Sequence, residues 1–303
     1  MGKIVIAVHG GAGPDSEHIK QNIEGYKKGI EEAINKGYAV LESGGPAVNA
    51  VEAAVKALED NPLFNAGRGA ALNDKAEVEM CASIMDGKNL RSGAAAIVRN
   101  VKNPVALARF IMEQTTHVYI GGTPATSLAK ENNLELEPDA YFITEYQYET
   151  YLSAKKEAEE KPGQKQHKHG TVGAVALDRE GNVAAATSTG GLEFCTEGRI
   201  ADSSVIGAGT YASNDSCAVS CTGDGEYMIR YVSAFQVAAL MEYKGLTIKE
   251  ACNFLIREKC KDIDGDMGLI AVDTAGNIGI EFNSERMHRG WKIEKEDAVI
   301  YTY

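Results

Sequence analysis

Two copies of one short pattern constrain this fold more than any other feature of the chain. Residues 172–178 and 182–189 are apolar runs joined by Arg179-Glu180-Gly181, and residues 267–273 and 277–282 are joined in the same way by Thr274-Ala275-Gly276. Each copy reads Asp-x-x-Gly-Asn across the join and predicts a β-hairpin. The strands are rich in Gly, Ala and Val, which predicts central antiparallel strands packed closely on other layers.

The remaining pattern separates strands from helices. Residues 3–8 form a β-branched run leading into His9-Gly10-Gly11-Ala12-Gly13-Pro14, and residues 16–43 then follow helical spacing. A second helix is expected over 46–60, with proline in its first turn. Strands are expected near 77–85 and 93–99, and helices over 104–114, 124–132, 226–243 and 247–259. Such segregated blocks predict an α+β protein in which two sheets lie between helical layers, rather than a doubly wound parallel sheet.

Composition narrows the partners. The 303 residues carry 31 Lys and Arg against 43 Asp and Glu, a formal charge of −12. That balance argues against nucleic acid or an anionic membrane surface. No stretch reaches the roughly 18 to 20 apolar residues of a membrane span, and the apolar part of the first residues is short for a secretory signal, so a cytoplasmic protein is expected. Six cysteines lack any Cys-x-x-Cys pair, and free, mostly buried thiols are expected over disulfides or zinc. His167 and His169 lie in a charged stretch with no clear third ligand.

The chemistry centres on Gly170-Thr171. Residues 155–169 are almost devoid of apolar side chains and include Pro162-Gly163, which predicts an exposed linker ending at a glycine. An internal threonine is a weak nucleophile. If the Gly170–Thr171 bond breaks, Thr171 gains a free amine that titrates at about 7.7–8.0 and can take its hydroxyl proton. A plain strand start fits the same residues.

Four other segments bear on that site. Thr187-Ser188-Thr189 ends the strand paired with the one Thr171 begins, so antiparallel pairing should bring Thr189 near Thr171. Ser220-Cys221-Thr222-Gly223-Asp224-Gly225 passes from a strand through a glycine turn into a helix start; it offers N–H and hydroxyl donors to an oxyanion, or merely caps a helix. Arg199 and Asp202 could grip the carboxylate and ammonium of an amino acid, or form a surface ion pair. The loop Asn61-Pro62-Leu63-Phe64-Asn65-Ala66-Gly67-Arg68-Gly69 could turn carbonyls around a monovalent cation or present Asn65 to a substrate.

Taken together and in order, these motifs, with Ile206-Gly-Ala-Gly-Thr-Tyr-Ala, make nearly the whole chain resemble the plant-type L-asparaginase and isoaspartyl peptidase family of N-terminal nucleophile hydrolases. The resemblance implies a four-layer αββα sandwich and a precursor that cuts itself into residues 1–170, with an exposed linker over about 153–170, and residues 171–303. It implies Thr171 as nucleophile and base, Thr189 as its orienting partner, and Thr222 with Gly223 as the oxyanion hole. Arg199, Asp202, Asn65 and Gly225 are then expected around the substrate. The backbone oxygens of Leu58, Glu59, Asn61, Phe64, Ala66 and Arg68 are expected to hold a sodium ion, and two αβ units to form a dimer. The chain departs from the family at Cys81, where an aspartate is usual; a thiol supplies neither that charge nor its acceptor pair. A glycosylasparaginase is the runner-up within the fold. A phosphate- or nucleotide-binding protein is the alternative outside it, although neither His9-Gly-Gly-Ala-Gly nor Thr222-Gly-Asp-Gly carries a P-loop or dinucleotide fingerprint.

Overall fold

A computed structural model describes residues 2–161 and 170–303. The strands in chain order are β1 (Val5–Gly13), β2 (Met80–Asp86), β3 (Ser92–Val98), β4 (Tyr119–Gly121), β5 (Val172–Leu177), β6 (Val183–Thr189), β7 (Thr210–Ala212), β8 (Cys217–Gly223), β9 (Met267–Asp273), β10 (Ile278–Phe282), β11 (Arg286–Ile293) and β12 (Val299–Tyr301). They form an eight-stranded sheet, β12-β11-β1-β5-β6-β2-β3-β4, and a four-stranded sheet, β10-β9-β8-β7. Among the strand pairs of the described residues, only β3–β4 is parallel. The expected hairpins are β5–β6 and β9–β10.

Strand alternation explains how these layers stack. Along β1 and β5, Ile4, Ile6, Val8, Val172, Ala174 and Ala176 face one way and pack on the helices Ile23–Glu42 and Ala47–Glu59. Val5, Ala7, Val175 and Leu177 face the other way and meet Ile270 and Val272 of the second sheet. The far side of the second sheet, through Val219, Cys221 and Leu269, packs on Val237, Ala251 and Leu255 of the second helical layer. The result is the four-layer αββα sandwich.

Gly170 and Thr171 divide the chain without dividing the core. Within the large sheet, β1 pairs with β5 and β11, and β2 pairs with β6. Strands from before and after Gly170 therefore pair within one sheet, β1 lying between β11 and β5, and a cut there would leave the sheet hydrogen bonds in place.

Several boundaries differ from the sequence expectation for local reasons. The helix expected over 16–43 is broken at Asn22 into Glu17–Gln21 and Ile23–Glu42. The helix expected over 226–243 breaks at Val232, whose φ of 48 lies in the left-handed region. The first part of the exposed linker expected from about 153 is helix, because the helix Glu145–Glu160 continues through Lys155-Lys156-Glu157-Ala158-Glu159-Glu160. Those residues are strong helix formers, and Thr144 caps the helix by accepting the Gln147 N–H at 3.2 Å. His167 and His169 lie outside the described residues. All six cysteines are free, and five are buried. No helix among the described residues is long and apolar enough to cross a membrane.

Candidate active site

The hairpin register places Thr171. Val172 pairs with Ser188 and Gly173 with Thr187, so Thr171 at the head of β5 falls opposite Thr189 at the end of β6. Both threonines are buried. By alternation with Val175 and Val183, both point into the space between the sheets. The Thr171 hydroxyl donates to Thr189 Oγ1 at 3.3 Å, and the Thr189 hydroxyl donates to the Gly170 carbonyl at 3.1 Å. That carbonyl also accepts from Asn65 Nδ2 at 2.9 Å. Asn65 is itself fixed by donating to the Gly191 carbonyl at 2.7 Å and accepting the Ala71 N–H at 2.7 Å. Two threonine hydroxyls and the Asn65 amide thus converge at the bond that the sequence singled out, with Thr189 and Asn65 both donating to its carbonyl.

A polar network lies behind Thr171. His9 is fully buried, with Nε2 at 2.9 Å from Ser220 Oγ, and Ser220 Oγ is 2.7 Å from Thr187 Oγ1. Burial drives the His9 imidazole down to about 3, against the opposing pull of the Thr171 backbone, so the ring is neutral at pH 7. A Cβ on Gly173 would meet Ser220 Oγ at 2.0 Å and His9 Nε2 at 2.4 Å, so that position must be glycine for the network to form. Gly11, at a φ of 109, brings the end of β1 to within 3.0 Å of Gly170 Cα, measured from a Cβ built on it. The run His9-Gly10-Gly11-Ala12-Gly13 is thus a buried strand end backing the site, where a phosphate cradle would need open space. The sequence offered His9 only as part of that cradle; its contact with Ser220 is formed by two strands far apart in the chain.

On the other side of Thr171 lies a small cavity of about 10 Å³ lined by Gly170, Thr171, Thr189, Arg199, Asp202 and Gly223, with Gly225 at its wall. Arg199 grips Glu226 bidentately, Nε to Oε1 at 2.8 Å and Nη2 to Oε2 at 2.9 Å. The guanidinium holds the Glu226 carboxyl below the usual range. Asp202 is buried, so it is no surface ion-pair residue, and Glu226, which the sequence did not flag, is the carboxylate that Arg199 grips. A Cβ on Gly225 would lie 2.8 Å from Asp202 Oδ1 and 3.2 Å from Arg199 Nη2, so glycine keeps this corner open. Gly223, at a φ of 122, ends β8 at the cavity wall. Thr222 is buried just behind it, outside the lining. Its Oγ1 accepts the Ala12 N–H at 3.0 Å, which leaves its own hydrogen available to donate.

The loop after the helix Ala47–Glu59 turns carbonyls inward. A Cβ on Gly67 would meet the Glu59 carbonyl at 2.4 Å, and one on Gly69 the carbonyls of Pro62 and Phe64 at 2.5 and 2.8 Å. Several carbonyls of this loop accept backbone hydrogen bonds within it, Glu59 from the Arg68 N–H at 2.7 Å and Phe64 from the Ala66 N–H at 3.0 Å. Among the described residues no group of three or more His, Cys, Asp or Glu could hold a metal ion. Beside this loop, burial pushes the Glu59 carboxyl up to about 8, against hydrogen bonds from Ser188 and Val105. Cys81 pairs with Thr189 across β2 and β6, and burial pushes its thiol up, so an uncharged group sits beside the site.

Comparison with known proteins gives the family. The asparaginase family profile matches residues 2–301. An isoaspartyl peptidase of Escherichia coli (strain K12) is 44% identical over 96% of this chain and 93% of the relative. A Xenopus laevis protein named isoaspartyl peptidase/L-asparaginase is 42% identical over 98% of this chain and 94% of its own. A probable isoaspartyl peptidase/L-asparaginase of Arabidopsis thaliana is 40% identical over 97% of each. With a profile spanning the chain and relatives matched almost end to end, the protein belongs to the asparaginase family of hydrolases.

Proposed function

We propose that the chain cuts itself between Gly170 and Thr171, and that the matured enzyme hydrolyses the side-chain amide of L-asparagine and the isopeptide bond of β-aspartyl dipeptides. The carrying observation is the Gly170 carbonyl, held by Asn65 and Thr189 while the Thr171 hydroxyl donates to Thr189. In the first step Thr171 Oγ1 attacks the Gly170 carbonyl carbon, its proton passes to the Thr171 nitrogen, and the C–N bond breaks. Asn65 and Thr189 stabilise the oxyanion. Water then hydrolyses the resulting ester, releasing Gly170 as a carboxylate and Thr171 with a free amine.

In the matured site that amine is the base. It takes the Thr171 hydroxyl proton as Oγ1 attacks the substrate's side-chain carbonyl, and returns it to the leaving nitrogen. Arg199 receives the substrate α-carboxylate and Asp202 its α-ammonium, while the Gly223 N–H and Thr222 hydroxyl face the developing oxyanion. A threonyl ester forms and water cleaves it. Asparagine and β-aspartyl dipeptides present the same gripped half, which agrees with the paired activities in the relatives' names.

A sodium ion on the backbone oxygens of Leu58, Glu59, Asn61, Phe64, Ala66 and Arg68 would fix the loop that carries Asn65. It would supply rigidity rather than a reacting group. The same reading carries a cytoplasmic dimer of αβ units, testable by light scattering. Steady-state assays test the activity: asparagine and β-Asp-Leu should be cleaved, the dipeptide with the higher kcat/KM, and α-Asp-Leu and glutamine refused. Comparable turnover of α-Asp-Leu or glutamine would contradict the proposal.

A further inference from the structure

Gly170 borders two cavities. One is the small pocket of Arg199 and Asp202. The other, about 120 Å³, is bordered by Gly170 and Asn65 and lined further by Arg286, His288, Tyr26, Leu63 and Glu193. A cavity of about 150 Å³ accommodates a benzene ring, so this one has room for a small organic group.

Its polar lining is mixed: Asn65 and Gln147 are hydrogen-bonded and the Glu193 carboxylate also borders it, whereas Arg286 and His288 carry buried nitrogens without a hydrogen-bond partner. Arg286 is 7% exposed, forms no ion pair among the described residues, and its Nε is buried without a hydrogen-bond partner. His288 is 1% exposed, and neither ring nitrogen has a partner there. Its ring stacks on Tyr26 at 4.2 Å, and burial with the nearby Arg286 and Arg289 keeps it neutral. A buried, unpaired guanidinium beside a neutral imidazole N–H fits a carboxylate, whose binding would offset the desolvation of the arginine. The Asp15 carboxylate at the rim is held by the Ser16 N–H at 2.8 Å and the Tyr303 hydroxyl at 3.2 Å.

The chemistry says which carboxylate reaches it. When the threonyl ester forms, the Oγ1–acyl bond is made, the C–N bond breaks, and the Thr171 ammonium gives its proton to the leaving nitrogen. The leaving group therefore departs from beside the Thr171 nitrogen, on the side where Gly170 is bonded in the uncut chain. Resting on the hydrolase reading above, we propose that the Arg286 cavity is the leaving-group subsite, with the Arg286 guanidinium taking the α-carboxylate of the amino acid released from a β-aspartyl dipeptide. Tyr26 and Leu63 line the same space for its apolar side chain. Asparagine, which releases ammonia, makes no use of it.

The test compares β-Asp-Leu with β-Asp-Leu amide on matured protein. The amide replaces only the leaving-group carboxylate. Wild-type enzyme should favour the acid by about tenfold or more in kcat/KM, chiefly through KM. In Arg286→Met the preference should shrink to less than about threefold, and Arg286→Lys should retain part of it. Structural damage alone would lower both substrates together and leave their ratio intact. Equal wild-type efficiencies, or an undiminished ratio in Arg286→Met, would overturn the subsite. Should Arg286→Met fail to mature, an undiminished ratio in Arg286→Lys with no rise in KM for the acid would overturn it instead. Failure of the wild-type enzyme to cleave either compound would instead reject the hydrolase reading.

Discussion

The hairpins β5–β6 and β9–β10 turn on nearly identical atoms yet serve different ends. Asp178 Oδ1 accepts the N–H groups of Glu180 and Asn182 at 3.0 and 2.9 Å, and Asp273 Oδ1 those of Ala275 and Asn277 at 3.0 and 2.8 Å. Gly181 and Gly276 close the turns at φ values of 83 and 80. At its open end, β5–β6 presents Thr171 and Thr189. The start of β9 instead pairs Met267 with Gly223 and Gly268 with Thr222, bracing the strand that carries the proposed oxyanion donors. The shared turn sets register, and register decides which residues meet at the other end. Function follows from those end residues rather than from the repeated motif.

The sharpest way to break the comparison is to remove the nucleophile at the end of β5. Thr171→Ala should stay a single chain and lose about 10⁴-fold or more of kcat/KM, read by denaturing gel and steady-state assay; an active, uncut variant would detach the chemistry from this hairpin. Arg199→Ala, in the cavity wall, should cost about 2–5 kcal/mol of transition-state binding while the chain still matures. A change under about threefold would return Arg199 to a surface role.

The turns themselves should differ in stability alone. Asp178 Oδ2 also accepts the Ala47 N–H at 3.0 Å, holding the first turn of the helix Ala47–Glu59. Asp178→Ala should therefore cost about 2–3 kcal/mol, and Asp273→Ala about 1–2 kcal/mol. Equal losses in denaturant titrations would mean the extra helix contact contributes nothing. A pH-dependent effect concerns Glu59, which accepts from Ser188 of β6. Its folded value of about 8 lies above its ordinary value, so the native state holds a proton that the unfolded chain has released. Its contribution is present at acidic pH and is lost as pH rises toward 8, with a slope of up to about 1.4 kcal/mol per pH unit. Glu59→Gln should gain thermal stability relative to wild type from pH 5 to pH 8; a constant difference would reject the shift.

Local pattern made much of this legible. Alternation and turn residues predicted both hairpins, and pairing alone placed Thr189 against Thr171. The order of motifs predicted the αββα sandwich. What escaped the sequence depends on contacts between distant segments. Glu226 reads as an ordinary first-turn acid until the fold brings it against Arg199. His9 reads as part of a glycine loop until β1 and β8 bring it to Ser220. Arg286 and His288 sit on β11, a strand the hydrophobic pattern did not reveal because its residues mix charged and apolar types. The last turns of the helix Glu145–Glu160 read as linker because they carry almost no apolar face, although their residues favour helix.

The account's central claim is that Thr171 begins a chain of its own. Intact-mass measurement of the purified wild-type protein tests it directly. The prediction is two species, residues 1–170 and residues 171–303, together heavier than the 303-residue precursor by one water, with sequencing of the smaller starting at Thr171. A single uncut chain that hydrolyses asparagine and β-Asp-Leu at full rate would contradict it.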